Sequence, residues 1–130
     1  FLFCGQINSI VFAGAFFCGC LSVSVLNMNN MRDYHSDKLA GKNTVVVNKG
    51  LSWAKYYHVS LILSAIIALS IIYIHILNHW LLLALIPVLV LLLNIIKVLT
   101  FKNNIELDAE LKKIALSTFV ITLIITLCLV

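Results

Sequence analysis

Asp33 and Asp37 are two carboxylates four residues apart, preceded by Asn29 and Asn30. On a helix the two acids share one face, and Asn30, three residues before Asp33, lies on that face too. Like charges at this spacing cost a helix about 0.2–0.5 kcal/mol. A base four residues after each acid would relieve that, but Asp33 is followed at that distance by Asp37, and Asp37 by Gly41. A cation held between the carboxylates would give the arrangement a purpose. Mg²⁺ suits it, because this ion takes one or two carboxylates and keeps its other positions for water and phosphate oxygens. The residues alone leave two readings open: a Mg²⁺ site on Asp33, Asp37 and Asn30, or loop charges that are simply solvated.

The elements that must carry this polar island are apolar. Hydrophobic residues make up 62% of the 130-residue chain and charged residues 11%, with a mean hydropathy of +1.09. Soluble domains carry about 25% charged residues, so the composition indicates a membrane protein. Four apolar segments, at about 1–26, 51–77, 80–100 and 114–130, reach or approach the roughly 17–25 residues a transmembrane helix needs. The fold class expected is all-α, a polytopic transmembrane helix bundle, with the motif in a loop over 27–50. Pro87 is expected to kink the third helix.

Charge placement orients this scheme. Arg32, Lys38, Lys42, Lys49 and Lys55 lie in or just after the first loop, and Lys97, Lys102, Lys112 and Lys113 around the third; the turn near Asn78 has none. The positive-inside rule assigns the first and third loops to the cytoplasm. The acids Asp33, Asp37, Glu106, Asp108 and Glu110 share that side. The net charge of +4 does not indicate a nucleic-acid partner, because the cations flank spans and form no aromatic-interleaved surface. The chain begins with Phe inside a span and reads as the C-terminal part of a longer protein.

Other features have structural readings. Cys4, Cys18, Cys20 and Cys128 fall within spans and read as packing residues. His75 and His79 beside Trp80 read as one interfacial belt, and Trp53, Tyr56 and Tyr57 as the other. Small residues every fourth position, as at Gly14, Cys18 and Ser22 or Thr118, Thr122 and Thr126, read as close helix contacts. Asn94 stands out, since a polar group within a span is costly; it would line a cavity or bond another helix. Asp108 and Glu110, spaced to pair with Lys112 and Lys113, read as a solvated helix start.

The run from Leu26 to Thr44 resembles the second aspartate-rich motif of UbiA-type intramembrane prenyltransferases. Asn29, Asn30, Arg32, Asp33, Asp37, Ala40, Gly41, Lys42 and Thr44 carry the likeness, and 107–118 is similar to the approach to that family's last helix. The closest likeness is to the branch acting on 1,4-dihydroxy-2-naphthoate in menaquinone synthesis. The resemblance implies the last four of nine transmembrane helices, with the motif loop cytoplasmic and the protein embedded in the lipid bilayer of a bacterial inner membrane. It implies transfer of a polyprenyl group from an allylic polyprenyl diphosphate to an aromatic acceptor. Asp33, Asp37 and Asn30 would hold Mg²⁺, and Arg32, Lys38 and Lys42 would bind the diphosphate. The family's first Asn/Asp-rich motif has no counterpart here, so this chain would supply half a site and be inactive without the preceding helices. A 4-hydroxybenzoate or homogentisate acceptor and a non-catalytic membrane fragment are the alternatives. CDP-alcohol phosphotransferases also use Asp pairs in membranes, but their Asp-Gly and Ala-Arg signature is missing.

Overall fold

The computed structural model describes residues 9–129. Six α-helices follow in order: α1 Ser9–Arg32, α2 Tyr34–Leu39, α3 Val45–Lys49, α4 Leu51–Ile76, α5 Leu85–Thr100 and α6 Leu107–Leu129. Short 3₁₀ turns at His79–Ala84 and Asn104–Glu106 lead into α5 and α6. Four helical stretches are long and apolar enough to cross a membrane: Ser9–Arg32, Leu51–Ile76, His79–Thr100 and Asn104–Cys128. The chain is all-α among the described residues, as expected. Residues 1–8 of the first expected span, including Cys4, lie outside them.

The long helices run up and down, and each packs on its neighbours in a closed ring of α1, α4, α5 and α6. The buried positions recur with a spacing near 3.5 residues. In α1 they include Phe17, Leu21, Ser24, Met28 and Met31; in α5, Pro87, Leu91, Asn94 and Val98. In α6, Leu107, Glu110, Ile114, Ser117 and Ile121 repeat the pattern. A 3.5-residue repeat keeps one seam facing its partners. The outward faces are apolar as well, with Phe12, Phe16, Ile67, Leu93, Leu116 and Phe119 exposed where lipid would surround them.

Three local details depart from expectation. α1 continues to Arg32, so Asn27, Asn29 and Asn30 are helical; Asn27 stays buried because its Nδ2 donates to the Ala54 carbonyl (2.9 Å). Pro87, expected within the third helix, stands in the first turn of α5 just after the 3₁₀ turn, where its missing N–H leaves no gap in the ladder. The small-residue stripe of α1 meets that of α6, with Cys18 Sγ and Thr122 Oγ1 3.8 Å apart, but Ser22 is exposed, as is Ser60 on α4.

The packing generates a contrast on adjacent residues of α4: Ile62 is fully buried and Leu63 is 47% exposed. Lipid is as apolar as the core, so truncating a buried side chain loses packing and little transfer energy. In the full-length protein, Ile62→Ala should cost about 2 kcal/mol, the low end for such a change, and Leu63→Ala under about 0.5 kcal/mol. Unfolding in detergent measures both; equal costs would mean that α4 presents another face to the bundle.

Candidate functional site: the carboxylate pair at the basic end of the bundle

The end of α1 hands the chain to α2 with barely a break. Asp33 has φ −87° and ψ 5°, yet the ladder continues through it, with Asp33 N–H donating to Asn29 O (3.0 Å) and Asp37 N–H to Asp33 O (2.8 Å). The two aspartates are therefore one turn apart, as the spacing requires. Gly41 then ends α2. Its φ of +68° is the left-handed conformation that glycine adopts without penalty. Gly41 N–H bonds Lys38 O (3.2 Å) and Lys42 N–H bonds Asp37 O (2.9 Å), the paired closure of a Schellman turn. This turn folds Lys42 back over α2, where its Nζ reaches Asp37 Oδ1 at 2.7 Å. Thr44 caps α3 by accepting from Val47 N–H (3.2 Å).

Asp33 has a partner of its own. Arg32 Nε and Nη2 donate to its two carboxylate oxygens at 2.8 and 2.9 Å, a two-pronged pairing that a planar guanidinium makes well. The third nitrogen, Nη1, donates to Asp108 Oδ1 on α6 (3.0 Å), and Asn104 Nδ2 donates to the Arg32 carbonyl (3.1 Å). The Arg32 hydrogen bonds hold the Asp33 carboxyl below its usual range against the opposing effect of burial, and Lys42 adds a smaller pull. Asp37 pushes the Lys42 ammonium up, with a weaker contribution from Asp33. Asp33 is thus ionised at neutral pH and Lys42 charged, with the Lys42 charge acting on both acids.

Of the residues expected at the site, Arg32, Asp33, Asp37 and Lys42 come together. Asp37 is buried and its partner Lys42 is exposed. Lys38 is exposed, 5.9 Å above the Tyr34 ring. Asn30 lines a groove of about 200 Å³ with Val23, Leu26, Asn27, Val45, Trp53 and Tyr57. Trp53 and Tyr57 stack with ring centroids 4.8 Å apart. All of this lies at the end of the bundle that carries the nine Lys and Arg residues.

Two expectations are corrected by the packing around α6. Asp108 does not pair within its own helix; it is exposed, but it takes the third arm of Arg32. Glu110 does pair with Lys113 (2.6 Å), yet it is only 6% exposed and accepts from Asn94 Nδ2 at 2.9 Å. It is not a solvated charge. Asn94 also meets His58 Nε2 (2.9 Å), so a polar chain of His58, Asn94, Glu110 and Lys113 crosses α4, α5 and α6. His58 went unnoticed in the sequence among apolar neighbours. The available signal was an ionisable residue inside a span, which is costly unless it has a partner.

The donor set can be weighed against Mg²⁺. Among the described residues, no three His, Cys, Asp or Glu side chains gather into a cage for a metal. A phosphate-bridged Mg²⁺ needs only one or two protein carboxylates, and Asp33 and Asp37 are hard oxygen donors beside cations suited to phosphate. The residues fit an ion shared with a diphosphate and do not fit an all-protein metal site.

Comparison with known proteins gives the same class. Residues 1–119 match the UbiA prenyltransferase family. A 1,4-dihydroxy-2-naphthoate octaprenyltransferase of Escherichia coli is 42% identical over 76 residues, covering 56% of this chain and 25% of that protein. The protein of the same name from Haemophilus influenzae is 42% identical over 53 residues, covering 41% of this chain and 17% of its own. The alignments thus span a quarter or less of those relatives' length. No solved structure matches the chain. With the match covering nearly all of the sequence, and four helices of membrane-spanning length, the chain is that of an integral membrane protein and belongs to the UbiA prenyltransferase family.

Proposed function

We propose that the protein containing this chain transfers a polyprenyl group from an allylic polyprenyl diphosphate to an aromatic acceptor, 1,4-dihydroxy-2-naphthoate in menaquinone synthesis. The observation that carries this is the Asp33–Asp37 pair at the basic end of an apolar bundle, each acid already matched to a cation, in a chain of this family. The acceptor rests on the names of the two relatives.

Asp33 and Asp37 would hold Mg²⁺ against the diphosphate. Bound there, the ion would neutralise charge on the leaving group and lower the barrier to C–O cleavage. Before substrate arrives, Arg32 and Lys42 hold the carboxylates in place and offset their repulsion. When the diphosphate binds, Arg32 can turn its fork to phosphate oxygens, and Lys42, more than half exposed, is free to follow. Lys38 adds charge at the mouth. Asn30, in its groove, suits an orienting role or that of a neutral oxygen ligand. The apolar walls would take the prenyl tail and keep water from the allylic cation. The remaining helices of the same protein would complete the site, so this chain by itself is not expected to catalyse.

The nine Lys and Arg residues gathered at one end support an orientation in which that end faces the cytoplasm of a bacterium and the spans cross its inner membrane. Single-Cys labelling of a Cys-free full-length parent should reach positions near Lys42 and Asn104 from the cytoplasm, and Asn78 from outside. Labelling of Asn78 from the cytoplasmic side would overturn this orientation.

The aspartates provide the test of the chemistry. In the full-length enzyme, Asp33→Asn and Asp37→Asn keep shape and remove a charge. Each should lower kcat/KM by about 10²-fold or more, about 2.7 kcal/mol, and raise the Mg²⁺ concentration for half-maximal rate. Glu106→Gln is the control, because Glu106 is exposed; a solvated charge there is worth under about 1 kcal/mol. Folded, membrane-inserted Asp33→Asn and Asp37→Asn proteins with near-normal rate and Mg²⁺ dependence would sink the assignment.

A further inference from the structure

We propose that the buried chain His58–Asn94–Glu110 is a positioning device: it fixes the first turn of α6 so that Asp108 can hold Arg32 on Asp33. The consequence for catalysis rests on the function proposed above; the positioning itself does not.

The hydrogen-bond directions follow from chemistry. The Glu110 carboxylate, paired with Lys113, accepts from Asn94 Nδ2–H at Oε2 (2.9 Å). The amide oxygen of Asn94 is then the atom facing His58 Nε2 at 2.9 Å, and Nε2 must carry a hydrogen. Every link therefore points the same way, from α4 through α5 to the carboxylate on α6. Lys113 Nζ on Glu110 Oε1 (2.6 Å) balances the charge from the solvent side. His58 and Asn94 are fully buried. Breaking a link leaves a buried polar group without its partner, an outcome that strongly disfavours any other register.

The chain acts on the right part of α6. Asp108 and Glu110 are two residues apart, so on a helix they point about 200° from one another. The first turn is gripped from two sides: by Arg32 at the end of α1 through Asp108, and by Asn94 of α5 through Glu110. Asn104 adds a third hold, on the Arg32 carbonyl. Apolar contacts between helices in lipid discriminate poorly against a small slide or rotation, because lipid and Leu are alike. A directional chain with a single partner set does discriminate. Without it, α6 could turn, Asp108 would lose Arg32, and Arg32 would hold Asp33 less firmly.

The experiment uses the full-length protein in nanodiscs, on a Cys-free background, with nitroxide labels at Leu39→Cys and Ile105→Cys, both strongly exposed positions. Pulsed electron resonance reads the distance between α2 and the entry to α6. Asn94→Leu and Glu110→Leu should broaden and shift that distance distribution. They should also raise the Mg²⁺ concentration for half-maximal rate by about 10-fold, more than they lower kcat. Glu110→Gln still offers an oxygen to Asn94 and should keep the distance and stay within about 2-fold in Mg²⁺ dependence. In an Asp108→Asn background, Asn94→Leu should add little, because both act through Arg32. Should Asn94→Leu fail to insert, Asn94→Ser supplies the same comparison with less burial conflict. An unchanged distance distribution in the Leu variants, or Mg²⁺ effects that add fully to those of Asp108→Asn, would overturn the proposal. If the full-length protein showed no prenyl transfer, the reading of function would fail, while the distance measurement would still decide the positioning.

Discussion

Arg32 ends α1 with its guanidinium divided between Asp33, the residue that joins α1 to α2, and Asp108 on α6, while its carbonyl receives Asn104. A helix C-terminus already favours a cation, so the residue stands where its charge costs least. What it holds is unusual. Two aspartates one turn apart repel, and in a bundle whose outer faces are apolar there is little polar surface to disperse that repulsion. The fork on Asp33 and the returning Lys42 on Asp37 offset it within a few ångströms. The geometry of the carboxylate pair thus depends on cations that are themselves fit to bind phosphate. The same groups that stabilise the fold at rest are the ones the proposed chemistry would use.

The backbone explains why the motif has its particular small residues. Gly41 is there because the chain must turn through positive φ to close α2, and that closure is what returns Lys42 to Asp37. Thr44 then starts α3 by capping it. Neither residue needs to touch a substrate to matter. A side chain at Gly41 would be strained by the conformation even though the space around it is open, and the loss would be felt at Lys42 and through it at Asp37.

Much of the architecture could be read from the sequence because lipid imposes length and composition on its helices. Four spans, the motif and the one-sided placement of Lys and Arg were all visible. The inward faces were not. In water, an apolar stripe against a polar face marks the core, but here Leu93 faces outward and Leu91 inward with equal hydropathy. The polar residues Ser24, Asn27, His58, Asn94, Glu110 and Ser117 are buried, but Ser22, Ser60 and Ser70 on the same helices are exposed, so a polar side chain alone does not mark the inside either. Local charge spacing misled at α6: Glu110 matches Lys113 along the helix, and nothing in that spacing signals that Asn94, sixteen residues earlier, claims its other oxygen. Lys42 was missed as a partner for Asp37 because it sits five residues on, a distance only the turn at Gly41 can close.

The central claim is that Asp33 and Asp37 bind a divalent ion together with a diphosphate, and direct binding tests it without turnover. The full-length protein can be titrated with Mn²⁺ as a paramagnetic substitute for Mg²⁺, with an unreactive polyprenyl thiodiphosphate present, and the bound ion counted by electron resonance. The account predicts a tightly bound Mn²⁺ that couples to phosphorus and is lost, one ion per chain, when Asp33 and Asp37 are both changed to Asn. The same number of phosphorus-coupled Mn²⁺ ions in the folded double variant would contradict it.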